Sequence, residues 1–284
     1  MKKYILLSLL ISLIFSSCKK KTIIEKELDS LGVKKENYNR IDTTFYENKK
    51  IKSLRFYKVK TEYVDINFYE SGNKKSIGKV KDNQCHEEYI DWYENGKQKW
   101  IRKYNIGEQI GKSLNFYENG NLEKEYDNDT KEMTDYWLNG KTKFKFIEKI
   151  SQSFHYNNGN YMEKFIHRGK DEYDCEYFNE NGKLIFSGNY KKQALFKDNL
   201  KFNGEIICYF NNGKISIFQN IINGNVEGKF YNSYGNGNLK GVGLIENGKQ
   251  LYFKSYHENG IVSFIRDSKN NTFTEWDEKG NLIK

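Results

Sequence analysis

Few side chains in this sequence stand where covalent or metal chemistry is expected. Cys18 is the clearest. It follows a basic pair, Lys2 and Lys3, a 12-residue apolar run at residues 4–15 (YILLSLLISLIF), and two small residues, Ser16 and Ser17. That run is too short to span a bilayer, which takes about 20 residues, and has the length of an export-signal core. The four histidines (His86, His155, His167 and His257) fall in no metal spacing: there is no HxxxH with a carboxylate and no CxxC. No GxSxG, P-loop or post-strand GxGxxG occurs, and Gly235-Asn236-Gly237 and Gly241-Val242-Gly243 read as turn and edge glycines. His155 occupies a place where related segments carry Phe or Trp, so it reads as packing. Cys85, Cys175 and Cys208 make an odd set after Cys18, leaving at least one thiol unpaired. Counting alternation from the neighbouring aromatic pairs puts Cys175 and Cys208 on opposite faces; counting from the nearby glycines puts them on one face. Their pairing stays open. The expectation is a chain without catalytic site, metal or cofactor.

Phe15-Ser16-Ser17-Cys18 resembles a bacterial lipobox, with Phe at −3 where Leu is usual. The resemblance implies that the Cys18 thiol takes a diacylglycerol, that cleavage removes residues 1–17, and that the new α-amine is acylated. Several acyl chains, at about 0.8 kcal/mol per buried methylene, give stable anchoring. Lys19, Lys20 and Lys21 follow at once and suit anionic headgroups. No Asp follows Cys18, so the expected address is the cell envelope, and the outer membrane in a cell with two. Within the tether at residues 18–40, Ile24, Leu28 and Leu31 have helical spacing and Gly32 a capping place. A short helix or flexible spacer is expected there.

The elements that must position everything else follow from composition. Tyr and Phe are abundant (22 and 19), there are 23 Gly, and there is no Pro. Aromatics favour strands, Gly marks turns, and Pro would interrupt sheet ladders. The net charge is +9, spread along the chain rather than clustered, which reads as a solvated surface and does not suit nucleic acid.

Three segments repeat at 24-residue steps: Phe68-Tyr69-Glu70-Ser71-Gly72, Trp92-Tyr93-Glu94-Asn95-Gly96 and Phe116-Tyr117-Glu118-Asn119-Gly120. Weaker copies run through Tyr136-Trp137 to Gly140, His155-Tyr156 to Gly159, Tyr177-Phe178 to Gly182, Tyr209-Phe210 to Gly213, Tyr234 to Gly237, Tyr256 to Gly260 and Trp276 to Gly280. Asn-Gly between alternating apolar residues predicts a hairpin with a type I′ turn, which needs positive φ at both central residues. Ile66, Ile90 and Leu114 share a face with Phe68, Trp92 and Phe116, while Asn67, Asp91 and Asn115 point the other way. Glu70, Glu94 and Glu118 read as turn-flanking acids paired with a following Lys such as Lys97. The segment KKQALFKDNLKFN (residues 191–203) breaks the pattern. The expected organisation is a signal peptide (1–17), a tether (18–40), a first array (41–187), an insertion or seam (188–204) and a second array (205–284). Neighbouring hairpins would pair into one elongated antiparallel meander, roughly 100 Å long at about 4.8 Å per strand.

The stretches EYIDWYENGKQKW and FYENGNLEKEY resemble the variant MORN repeat over about residues 45–284. The resemblance implies a single-sheet β-meander and, by family analogy, a lipoprotein scaffold for a protein partner, including antitoxin-like roles. WYENGK also resembles the aromatic-Gly repeats of choline- or glucan-binding modules, which implies a cell-wall glycan as the alternative ligand, held by Trp92, Trp100, Trp137 and nearby Tyr. Only four Trp occur, so the protein-binding reading leads. The residues singled out for binding are Phe68, Tyr69, Trp92, Tyr93, Phe116, Tyr117, Tyr136, Trp137, Tyr156 and Trp276. A pure spacer between membrane and periphery is the remaining class.

Overall fold

The computed structural model describes Lys34 and residues 37–283. The signal segment, Cys18 and the expected helix at 22–32 lie outside the described residues. What is described is all β. A 16-stranded sheet runs in strict chain order. Its strands are β1 (Arg40–Phe45), β2 (Ile51–Val59), β3 (Glu62–Phe68), β4 (Lys74–Lys81), β5 (Gln84–Trp92), β6 (Gln98–Asn105), β7 (Glu108–Phe116), β8 (Leu122–Asp127), β9 (Met133–Tyr136), β10 (Thr142–Ile147), β11 (Ser151–His155), β12 (Tyr161–Gly169), β13 (Glu172–Phe178), β14 (Leu184–Lys191), β15 (Ala194–Lys197) and β16 (Leu200–Lys201). An 8-stranded sheet follows: β17 (Gly204–Tyr209), β18 (Ile215–Ile222), β19 (Asn225–Val226), β20 (Gly228–Ser233), β21 (Leu239–Glu246), β22 (Lys249–Tyr256), β23 (Val262–Asp267) and β24 (Thr272–Glu275). All neighbouring strands are antiparallel. The ladder is broken between β16 and β17, so the antiparallel meander runs as two successive sheets.

The repeated turn differs from the expected type I′. In Tyr93-Glu94-Asn95-Gly96 the Gly96 N–H donates to Tyr93 O at 2.9 Å, and the Tyr93 N–H donates to Lys97 O at 2.8 Å. Positive φ falls on Gly96 (84°) and not on Glu94 or Asn95. This is a type I turn followed by a left-handed glycine, with a bulge at Trp92 opposite Gln98. Asn precedes Gly for a different reason: its Oδ1 accepts from the Lys97 N–H at 3.0 Å, an Asx turn. The unit at Gly182 has the same geometry, with Gly182 N–H to Asn179 O at 2.9 Å. Phe178 therefore stands in the Phe68 column and Asn179 in the Tyr69 column. The pair Tyr177-Phe178 is out of step by one residue, and the turn is not stretched.

Direct cross-strand partners define two faces. On the front face one row reads Leu54, Ile66, Ile77, Ile90, Ile101, Leu114, an aliphatic line across six strands. It then becomes Glu125, Thr134, Lys145, Ser153, Lys164 and Glu176. On the back face the row starts Ser53, Asn67, Ser76, Asp91, Trp100, Asn115 and ends Phe144, Phe154, Glu163, Tyr177, Phe186. The apolar side thus changes face along the sheet. Leu54, Phe56, Val64, Ile66, Ile77 and Trp92 form a front cluster; Cys175, Tyr177, Phe186 and Leu195 join Ile206, Cys208, Ile217 and Ile221 of the second sheet in a back cluster. Between Trp92 and Tyr156 no hydrophobic residue is buried.

Gly241 and Gly243 lie inside β21, a central strand, and not at an edge or turn. A Cβ on Gly243 would come within 2.4 Å of the Phe230 ring, and one on Gly241 within 2.8 Å of the Phe253 ring. These glycines let aromatic rings of adjacent strands lie flat on the sheet.

Candidate functional site

The second aromatic of each unit builds a ladder along one edge. Tyr46 donates its hydroxyl to Phe68 O at 2.7 Å, Tyr69 to Trp92 O at 2.8 Å, Tyr93 to Phe116 O at 2.7 Å and Tyr117 to Tyr136 O at 2.7 Å. Tyr156 donates to Phe178 O at 2.8 Å, and Tyr234 to Tyr256 O at 2.8 Å. Where Tyr is replaced the donor persists: the Trp137 indole N–H reaches Tyr156 O at 3.1 Å, and His257 Nε2 lies 2.9 Å from Trp276 O. Asn179, Phe210 and Asp277 occupy the same column without a hydroxyl, the first two beside the seam and the third in the last unit.

A second ladder joins the turns. Asn95 Nδ2 donates to Glu118 O at 2.9 Å, Asn121 Nδ2 to Leu138 O at 2.7 Å and Asn139 Nδ2 to Asn157 O at 2.8 Å. The lysine after the glycine reaches the next turn as well: Lys50 Nζ to Glu70 O at 2.9 Å and Lys141 Nζ to Asn158 O at 2.8 Å, with Lys97 on Asn119 O. The expected Glu–Lys pairing within one unit is replaced by this contact between units. A carbonyl at the turn tip has no partner in its own hairpin and is the nearest acceptor.

The residues singled out from sequence therefore divide by role. Tyr69, Tyr93, Tyr117, Trp137 and Tyr156 hold the ladder. Phe68 and Trp92 pack in or against the front cluster, Trp92 at 8% exposure. Phe116, Tyr136 and Trp276 supply ladder carbonyls, and Trp276 bridges to Leu282. Gly72, Gly96, Gly120, Gly140, Gly159, Gly182, Gly213, Gly237, Gly260 and Gly280 all take positive φ. His155 sits between Ser153 Oγ (3.0 Å) and Gly159 O (3.1 Å), against the Tyr161 ring, and burial lowers its pKa.

Exposed chemistry gathers on the back face of β2–β7. Arg55 ion-pairs Asp65 at 2.9 Å and lies 4.7 Å from the Tyr63 ring centre. Asn67 links Asp65 (3.1 Å) to Ser76 (3.0 Å). The Tyr89 ring covers Gly78, stacks on Trp100 at 5.3 Å, and Arg102 lies 4.4 Å from the Trp100 ring. Lys75 and Lys99, both exposed, stand 5.6 Å from the Tyr69 and Tyr93 rings. The desolvated Asp91 between them has its pKa raised, moderated by Lys99, Lys75 and Arg102. Sequence reading missed Tyr89, Trp100 and Arg102 as one group because only register brings them together.

The seam holds the buried titratable groups. Cys175 and Cys208 are both at 0% exposure in one cluster, both free, and burial pushes both thiols up to about 12. They face the same core, which settles the alternation left open above. Glu163 is pushed up to about 7 by burial, opposed by Lys240 of the second sheet. Tyr156 also meets Ser216 Oγ across the seam at 2.7 Å. Among the described residues no group of three His, Cys, Asp or Glu is placed to hold a metal ion.

Residues 109–127 and 174–192 match the MORN repeat variant. Each match covers one hairpin with its turn, β7–β8 and β13–β14. No curated protein matches this chain. Among solved structures, a mutant S. aureus TarM in complex with fondaparinux, alpha-GlcNAc-glycerol and UDP is similar at 16% identity over 41% of this chain and 25% of that one, with TM-score 0.25. A second TarM structure gives 16% identity, 41% and 24% coverage and TM-score 0.24. A TcdB2-TccC3-Cdc42 structure gives 10% identity, 83% and 15% coverage and TM-score 0.17. This chain spans about a quarter of the TarM chains, and likeness at these scores carries no argument.

Proposed function

We propose, for a chain that carries MORN-variant repeats, that it is a non-enzymatic binding scaffold, lipidated at Cys18 and held in the cell envelope, whose back face over β2–β7 takes an acidic protein partner. One observation carries this reading. That face presents Arg55, Lys75, Lys99 and Arg102 beside Tyr63, Tyr69, Tyr93, Tyr89 and Trp100, with none of them buried. Arg, Tyr and Trp anchor protein interfaces more than other residues do. The acids on the face are shielded: Asp65 is held by Arg55 and Asn67, and Asp91 is half-buried. The exposed charges are the lysines, so the complementary surface is acidic. Neutralising a toxin, as an antitoxin or immunity protein does, is the finer form of the same proposal.

The test is cross-linked capture of the lipidated full chain from its native envelope, with and without Lys75→Glu/Lys99→Glu. The proposal expects one stoichiometric acidic protein that the double variant no longer retains. Capture unchanged by the charge reversal overturns the assigned face. Wall polymer without protein overturns the class of partner.

A further inference from the structure

We infer that a neutral saccharide binds in the aromatic groove around Tyr173, on the back face of β10–β14, away from the lysine-bearing strands β2–β7 proposed above for the protein partner. Two adjoining cavities form this groove, of about 270 and about 260 Å³, and both are lined by Gln152, Phe165 and Tyr173. The first extends to Phe146 and His167, the second to Tyr190 and Gln193. Each approaches the ~300 Å³ at which ligand clefts begin.

The groups here are available in a way that the repeat tyrosines are not. The ladder hydroxyls of Tyr69, Tyr93, Tyr117, Tyr156 and Tyr234 all have main-chain acceptors. The Tyr173 hydroxyl and the Gln152 and Gln193 amides have no hydrogen-bond partner among the described residues. Tyr173 is 38% exposed, with its ring held edge-on by His167 at 5.0 Å. Phe165 is fixed against Tyr177, and both Phe165 and Tyr190 pack against the seam cluster. The floor is therefore rigid aromatic surface, and the free polar groups are at its sides.

That combination selects a ligand class. A pyranose offers one face of C–H bonds to an aromatic ring and a rim of hydroxyls that both donate and accept. An amide side chain also does both, so Gln152 and Gln193 suit hydroxyls in either role. Charge adds a constraint. The charged lining residues are Lys149 and Asp171, one of each sign, on different loops. The lining charges are balanced, so the groove itself favours neither an anion nor a cation. An apolar peptide would cover the two amides without satisfying them, which is costly. Tyr173 has a counterpart in Tyr63, each nine residues before its turn glycine, but that unit carries Arg55 where this one has Phe165, so the repeat alone does not signal the groove.

Calorimetric titration of the full chain with maltotriose, cellotriose and tri-N-acetylchitotriose tests the inference, with a sulfated disaccharide as the anionic control. At least one neutral trisaccharide should bind, Tyr173→Ala should weaken it about tenfold or more, the loss of one stacked ring, and Gln152→Ala should weaken it severalfold. Trp92→Ala and Lys75→Glu/Lys99→Glu should leave it unchanged, which separates this site from the front cluster and from the protein-binding lysines. Circular dichroism and thermal unfolding confirm that each variant is folded. Should Tyr173→Ala fail to fold, Gln152→Ala carries the test, and Tyr173→Phe, which keeps the ring, retains most of the affinity. No binding by any of the three probes, equal binding of the sulfated control, or affinity unchanged by Tyr173→Ala or Gln152→Ala overturns the inference.

Discussion

The middle of the first sheet and the seam are built from the same hairpin but held in different ways. From β6 to β10 no apolar side chain is buried, and the units are joined by the Tyr93, Tyr117 and Trp137 donors and by the turn asparagines. At the seam, Leu195, Ile206, Cys175 and Cys208 are fully buried, and Phe210 leaves the ladder without a hydroxyl. A sheet with both faces wet depends on hydrogen bonds between neighbours, each worth about 0.5–1.5 kcal/mol net. A sheet covered by a second one can rely on burial, at about 25 cal/mol per Å². The ladder runs on beside the front cluster, through Tyr46 and Tyr69, and loses its hydroxyl at Phe210, where the two sheets share a core.

The largest effect should come from the seam. Leu195→Ala, at a fully buried side chain, is expected to cost about 2–5 kcal/mol, against about 1 kcal/mol for Ile101→Ala at a half-exposed site, measured by urea unfolding. Equal losses would erase the distinction between the two regions.

Next comes pH. Glu163 faces Tyr156, Tyr177, Tyr190, Cys175 and Cys208, with Lys240 across the seam and Lys143 beside that lysine. Its carboxyl titrates at about 7 when folded and at its ordinary 4.5 when unfolded. The folded chain keeps the proton where the unfolded chain has lost it, so stability falls as pH rises from about 4.5 to about 7 and is level above. The drop is on the order of 3 kcal/mol. Glu163→Gln should remove that slope and be the more stable protein at alkaline pH. An unchanged slope in the variant would place the titration elsewhere.

A smaller, local effect belongs to the ladder. Tyr93→Phe loses the bond to Phe116 O and should cost about 1 kcal/mol, with faster amide exchange confined to the Tyr117–Asn121 turn and its neighbour. Smallest of all in energy is thiol access. Cys85 should react with a maleimide in the folded protein, while Cys175 and Cys208 react only on unfolding, since both are buried and hold thiols near 12.

The hairpin order was legible because alternation and Asn-Gly spacing are local. Ile66 and Phe68 take the face that period-two counting gives them. The turn type was not legible, since Asn-Gly serves a type I′ turn and a type I turn with a left-handed glycine equally well, and the strand register decides. The roles of the aromatics were also hidden. Tyr69 and Tyr93 look like a binding row in sequence, and only the partner 23 residues on shows that each hydroxyl already has an acceptor. The change of face after Leu114 depends on register carried through every intervening strand. The back-face group at Tyr89, Trp100 and Arg102 is assembled only by register, and the groove at Tyr173, whose counterpart is Tyr63, needs Phe165 and Gln152 from neighbouring strands.

The central claim is that the hydroxyls of the repeated tyrosines are committed to the scaffold and that binding is done by the lysines beside their rings and by the Tyr89, Trp100 and Arg102 group. Unfolding the triple variant Tyr69→Phe/Tyr93→Phe/Tyr117→Phe in urea, and assaying partner capture on the protein that remains folded, tests it most directly. The account expects a loss of about 2–4 kcal/mol, the sum of three hydrogen bonds, with capture retained by the folded fraction. Stability unchanged with capture abolished would contradict it and return those tyrosines to the binding site.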